Sequence, residues 1–328
     1  MKGFDSKYKD LPDYILKITH QIWEEKDVES INQYYAKGMP TRSPQGVIYG
    51  AEPVVKATYA TLKEFPDRQL LGEDVIWIGN DDEGYFSSHR ILSRATHANF
   101  GVYGEATGKK LVYRVIADCA CRNNQVYDEW LVRDQGAIIR QLGLDPQKYA
   151  GKLIQDEGGI NKCFIPFNKD TPNDVPIDGV YKAPSISKEN TGTRYADILK
   201  QIFNKDLNAV ENNYDRAIQQ EQPGGFTRHG RGEITNFWNT LISAFPDSKF
   251  TIEHISYTEE KNESKKAAIR WSLTGSHSGK GNFGSPSNAP VYVMGISHAE
   301  FGPRGIKNEW VLFLSLIHIL TLPTILLV

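Results

Sequence analysis

The chain has 328 residues, 40% hydrophobic and 24% charged, with a formal net charge of −2. That composition excludes disorder, and the near-neutral charge excludes the clustered basic footprint of a nucleic-acid binder. Three cysteines, Cys119, Cys121 and Cys163, are too few and too closely paired for a disulfide framework.

The opening stretch MKGFDSKYKDLPDY is polar and lacks the apolar run of a secretion signal, so a cytoplasmic location is expected. From Asp13 to Ala36 apolar residues recur at helical spacing. A second helical stretch ends at Phe65-Pro66-Asp67, where proline stops it. Four β-rich runs follow: EDVIWIGN, YFSSHRILSRATH, KLVYRVIADCAC and QVYDEWLVRD. Cys119 and Cys121 share one face of the third run, as buried thiols or, with too few soft ligands beside them, a metal clip. Helices followed by strands predict an α+β layer in which a curved antiparallel sheet wraps the N-terminal helices.

The same order then returns. Phe65-Pro66-Asp67 recurs as Phe245-Pro246-Asp247, His97 as His277, Glu129-Trp130 as Glu309-Trp310, and Tyr49-Gly50 as His229-Gly230, each 180 residues later. Upstream the offset slips by one, Tyr35 matching Tyr214. Residues 151–192 are rich in Pro, Gly, Asn and Asp and read as a connector. The predicted organisation is a first domain over 8–150, the connector, a second domain over 193–313, and a tail over 314–328.

The FPD-closed helix, the turns THANFG and GSHSGKG, the run ATGKKLVYRVIAD, and VYDEWLVRD followed by GAIIRQLGLDP resemble the SnoaL-like polyketide cyclases of the nuclear transport factor 2-like superfamily. The resemblance covers both copies. It implies two tandem cone-shaped α+β barrels, each with a pocket between sheet and helices. Members include cyclases, isomerases, epoxide hydrolases and silent binding modules, so the fold alone does not choose a reaction.

The resemblance also bears on the end of the chain. Copy one continues past Glu129-Trp130 into a helical tail, whereas copy two runs into LSLIHILTLPT, which resembles translated sequencing-adapter DNA. On that reading the native sequence ends near Phe313 and the rest is read-through. The rival is a tail anchor over 311–328, but His318 and Pro323 interrupt it, no basic flank follows, and it would begin inside a core strand.

Cyclase-type chemistry needs a general acid/base in a dry apolar pocket, and polar residues at repeat-matched strand positions are the candidates. In copy one these are Asp118, His97 and Asp134 as catalytic groups, with Tyr49 and Trp130 as ligand contacts. Asp118, between apolar neighbours in VIADCAC, is read as a desolvated pocket carboxylate or as a salt-bridged strand residue. His97 is read as catalytic or as a turn hydrogen-bonder. Glu129 is expected to be a structural partner for Arg90 or Arg114.

Copy two keeps the positions and changes the chemistry, with His298 for Asp118, His277 for His97, His229 for Tyr49 and Trp310 for Trp130. Three histidines raise a zinc alternative, but they form no closely spaced pair, and no metal is expected. The epoxide-hydrolase carboxylate, two residues past the tryptophan, is replaced by Val132 and Leu312. No phosphate loop or nucleophile elbow occurs.

The expected function is a cofactor-independent cyclase or isomerase acting on a small hydrophobic carbonyl compound. The alternative is a non-catalytic small-molecule-binding module. No nucleic-acid or membrane partner is expected, and the fused copies are expected to act as a pseudo-dimer within one chain.

Overall fold

The computed structural model describes residues 1–44, 46–156, 158–159, 189–281 and 283–314. The tail from 315 onward, most of the connector, and Cys163 lie outside these residues. Of the described residues, 1–133 form one compact unit, and 134–159 with 189–314 form another.

The first unit opens with α1 (Leu11–Trp23), whose residues 11, 14, 15, 18 and 22 are all buried, the period of an amphipathic helix. Asp10 caps it, accepting from the Asp13 N–H at 2.8 Å. The helical spacing of the sequence runs on to Ala36, but the helix breaks near Lys26, whose φ of 62° is left-handed. A 3₁₀ turn at Val28–Ser30 and a short α2 (Ile31–Tyr34) follow. Next come β1 (Pro40–Ser43), β2 (Gly46–Tyr49) and α3 (Ala51–Glu64). The four predicted β-rich runs are β3 (Gln69–Asn80), β4 (Gly84–Thr96), β5 (Lys110–Arg122) and β6 (Gln125–Arg133).

The second unit holds α4 (Gln135–Leu142), α5 (Pro146–Asp156), α6 (Thr191–Phe203) and α7 (Asn208–Asn213). It continues with β7 (Tyr214–Gln222), β8 (Phe226–His229) and α8 (Arg231–Ala244). Its last strands are β9 (Lys249–Thr258), β10 (Lys265–Ser276), β11 (Pro290–Gly302) and β12 (Gly305–Leu314).

Each unit has a six-stranded sheet, ordered β2-β1-β6-β5-β4-β3 in the first and β8-β7-β12-β11-β10-β9 in the second. The α+β architecture in two copies is as the sequence predicts, but the sheet differs in two respects. It is mixed, because β1 runs parallel to β6 with Thr41 opposite Glu129, and β7 likewise runs parallel to β12. It is also open, with β2 and β3 at its edges, rather than closed into a barrel.

The FPD turn pins helix to sheet in both copies. Asp67 accepts from the Thr96 N–H at 2.7 Å and its hydroxyl at 2.6 Å, and Asp247 accepts from the Ser276 hydroxyl at 2.5 Å. In the first unit α1 lies against β3 and β4, and α3 against β2. Strand side chains alternate, so one face of the sheet looks inward at these helices and the other looks away.

Candidate active site

Between α1, α3 and the inner face of the first sheet lies a cavity of about 180 Å³. Its wall is mainly apolar, with Ile15, Ile18 and Ile22 from α1 and Ile91, Val115 and Leu131 from the strands. The polar groups that reach it include Tyr35, Thr41, Arg68, His89, Glu129 and Arg133. Strand register orders them. Arg133 lies opposite Val115 and Ile91 in one row, Leu131 opposite Ala117 and His89 in the next, and Glu129 opposite Cys119 in a third.

Glu129 is 7% exposed. The Tyr35 hydroxyl donates to its Oε2 at 3.0 Å and the Thr41 hydroxyl donates to the same oxygen at 3.3 Å. Among the described residues no donor reaches Oε1. Burial pushes the carboxyl up to about 7, against the lowering effect of those two hydrogen bonds. A carboxyl with its pKa raised in this direction can exchange a proton near neutrality, and the wall around it is mainly apolar. His89 is also buried; desolvation first, and then the Arg90 cation, push its pKa down to about 3, so the ring is neutral, and its Nε2 has no partner.

The sequence-predicted residues sit elsewhere. Asp118 is buried, but it projects from β5 on the face opposite Ala117 and Cys119, away from the cavity. There it accepts from the Ser88 hydroxyl at 2.5 Å and lies across from Trp130. Trp130 is on the outer face too, under the Arg42 guanidinium at 4.7 Å. His97 is fully buried in a clasp, its Nε2 3.1 Å from Glu64 Oε1 and its Nδ1 3.1 Å from the Thr107 hydroxyl. Glu64 also accepts from the Val102 and Tyr103 N–H groups, both at 2.9 Å.

Asp134 caps α4, accepting from the Ala137 N–H at 2.9 Å and from the Gly224 and Gly225 N–H groups. Tyr49 is half-buried at the end of β2, and His229 is exposed at the end of β8. His298 is buried on β11 opposite Trp310, which is itself half-buried. His277 lies between the Phe245 and Phe283 rings, its Nδ1 3.2 Å from the Ser287 hydroxyl. Its Nε2 is unpartnered, because Ala244 stands where the first copy has Glu64.

Glu129 is where the structure corrects the sequence reading. Arg90 and Arg114 pair instead with Glu73, at 3.1 Å and 2.9 Å, on the bulged edge of β3. That leaves Glu129 on the inner face.

In the second unit the corresponding volume is filled. Cavity residues Ala57, Thr58, Leu70, Ile91 and Arg133 become Phe237, Trp238, Phe250, Trp271 and Phe313. Phe203 stacks on Phe250 with centroids 4.1 Å apart, and Trp271 stands 5.4 Å from Phe203 and 5.9 Å from Phe313. Trp271 needs Gly295 beneath it, since a Cβ there would strike the indole ring. Glu309, the counterpart of Glu129, is fully buried and saturated: Tyr195 and Tyr214 donate to Oε1 at 2.6 and 2.8 Å, and Gln220 to Oε2 at 2.5 Å.

Residues 193–305 match the family model described as a SnoaL-like domain. No curated protein matches the chain. Among solved structures the chain is similar to AclR of Streptomyces galilaeus, at 20% identity over 41% of this chain and 83% of that one, with a TM-score of 0.36. It is also similar to IdmH of Streptomyces antibioticus, at 18% identity over 40% and 98%, with a TM-score of 0.36. A SnoaL-like polyketide cyclase of Agrobacterium tumefaciens gives 16% identity over 41% and 99%, with a TM-score of 0.35. The family match thus falls on the second unit, and the first unit shares that unit's strand order and the anchors repeated at 180 residues.

Proposed function

We propose that the first unit is a cofactor-independent proton-transfer enzyme of cyclase or isomerase type, acting on a small, largely apolar carbonyl compound. The carrying observation is Glu129: a carboxyl with one oxygen held by Tyr35 and Thr41, the other without a protein donor, and a pKa raised by burial to about 7. In this reading Oε1 takes a proton from a carbon next to the carbonyl, and the C–H electron pair becomes the enolate. That pair then attacks a second carbonyl, closing a ring as Glu129 returns its proton to the new alkoxide, or is reprotonated by Glu129 at another carbon, giving an isomer. The Tyr35 and Thr41 hydroxyls hold the carboxylate in place.

The cavity volume constrains the substrate. At about 180 Å³ it is below the roughly 300–1,000 Å³ of pockets for drug-sized ligands. This supports a short-chain or single-ring compound over a fused polycycle. The second unit, its cup filled by aromatic rings, is read as the non-catalytic partner.

Proton abstraction can be read without knowing the product. Small ketones and diketones are incubated with the protein in deuterated water, and deuterium at the α-carbon is followed by NMR. Wild type should accelerate incorporation for at least one compound and Glu129→Gln should not. Equal rates for the two proteins, or no acceleration by wild type, would remove the proposal.

A further inference from the structure

The first unit's cavity is electrically lopsided. At one end, Arg68 leaves the FPD turn and is 2% exposed. Its Nε donates to the Ser93 hydroxyl at 3.2 Å and its guanidinium lies over the Trp23 ring at 4.4 Å, while Nη1 has no partner. Arg133, half-buried, lines the same cavity from the end of β6, and its Nε atom is buried without an acceptor.

A buried guanidinium is ordinarily paired, because an uncompensated charge away from water is costly. Among the described residues no carboxylate lies within ion-pair distance of either arginine. Burial works to raise the Tyr113 phenol, yet the two guanidinium charges, with hydrogen bonds from Ser93 and Arg68, hold the phenol below its ordinary value. Glu129 does not neutralise this end. It is four residues from Arg133 on one strand, about 13 Å at 3.3 Å per residue. In the second unit the corresponding residues are Ser248 and Phe313, and the cup is closed by rings. The arginines go with the open cup.

We propose that the first unit's cavity binds a small organic carboxylate. Arg68 and Arg133 hold its anionic group, and its apolar, carbonyl-bearing end extends along β6 toward Glu129. Guanidinium N–H groups match a carboxylate in geometry as well as charge, and burial strengthens the pairing. This rests on reading the cavity as the ligand site, and it adds that the substrate is an acid with its charge remote from the reacting carbon.

The test uses shape-matched pairs on the full-length protein: phenylacetate against phenylacetamide, and 4-phenylbutanoate against 4-phenylbutanamide. Binding is followed by calorimetry and by the fluorescence of Trp23, and folding of every variant is checked by circular dichroism. The acids should bind at least tenfold more tightly than their amides. Arg133→Gln should bring each pair to near parity, with amide affinity within about threefold of wild type. Arg68→Gln should do the same, and if that variant does not fold, Arg133→Gln decides alone. Glu129→Gln should keep the preference.

Equal binding of acid and amide, no binding of either acid, a preference that survives Arg133→Gln, or one lost in Glu129→Gln would overturn the proposal. The deuterium experiment fails separately. Carboxylate preference without α-proton exchange would leave the ligand assignment standing and remove the reaction; exchange without the preference would do the reverse.

Discussion

Glu129 and Glu309 occupy the same place in the repeat, 180 residues apart on the strand beside a parallel neighbour, yet one oxygen of Glu129 lacks a protein donor while both oxygens of Glu309 are bonded. Each takes a tyrosine hydroxyl from the start of the sheet layer, Tyr35 or Tyr214. The difference is Tyr195, which adds a hydroxyl where the first copy has Ile15, and Gln220, which replaces Thr41 and reaches the other oxygen. The repeat carries the carboxyl twice, and in the second copy it is a hydrogen-bonded core element.

Both carboxyls make stability fall as pH rises. Each has its pKa raised from 4.5 to about 7 by burial, so the folded state binds protons that the unfolded state has released. The stabilisation is complete below about pH 4.5 and is lost as pH climbs through 7, by up to about 3 kcal/mol for each group. Buried His89, His254 and His277, whose pKa values are lowered, act in the opposite sense, so the readout is a difference: from pH 4.5 to 8 the urea midpoint of wild type should fall relative to that of Glu309→Gln.

Asp118→Asn should lower thermal stability through the weakened Ser88 hydrogen bond, by about 1–3 kcal/mol, while leaving α-proton exchange within severalfold of wild type. Melting curves and exchange rates on one preparation check both parts. A loss of exchange as large as that from Glu129→Gln would return Asp118 to the mechanism.

The His97–Glu64 clasp is read as structural. Glu64→Ala removes the acceptor for the His97 ring and for the Val102 and Tyr103 N–H groups, at a cost of about 2–4 kcal/mol. Amide exchange should accelerate at Val102 and Tyr103 and stay slow at β5.

Thr58→Trp copies the second unit's Trp238 into the first cup. Overpacking should cost about 1–3 kcal/mol, and the variant should still fold, but α-proton exchange should disappear with the space. Retained exchange would show that the reaction happens somewhere other than this cavity.

The repeat, the strand-rich second half of each copy and the FPD turn were legible because each rests on a local signal: an anchor pair, an alternation, a proline. The short strands PTRS and GVIY were not, since four residues carry too little period to be seen. The working face was the harder problem. On β5 residues 115–121 are all buried, so apolar neighbours surround Asp118 and Cys119 alike and do not say which side looks into the cup. Phase could have been fixed by Arg133, a cation that ends the apolar run Trp130-Leu131-Val132 and has Phe313 as its counterpart. A charge exchanged for a ring between copies is what an open cup and a filled one would leave behind.

The most direct measurement is α-proton exchange by Glu129→Gln and Glu309→Gln side by side, each confirmed folded. Exchange should vanish in the first and persist in the second. Exchange that survives Glu129→Gln, or that fails only in a folded Glu309→Gln protein, would contradict it.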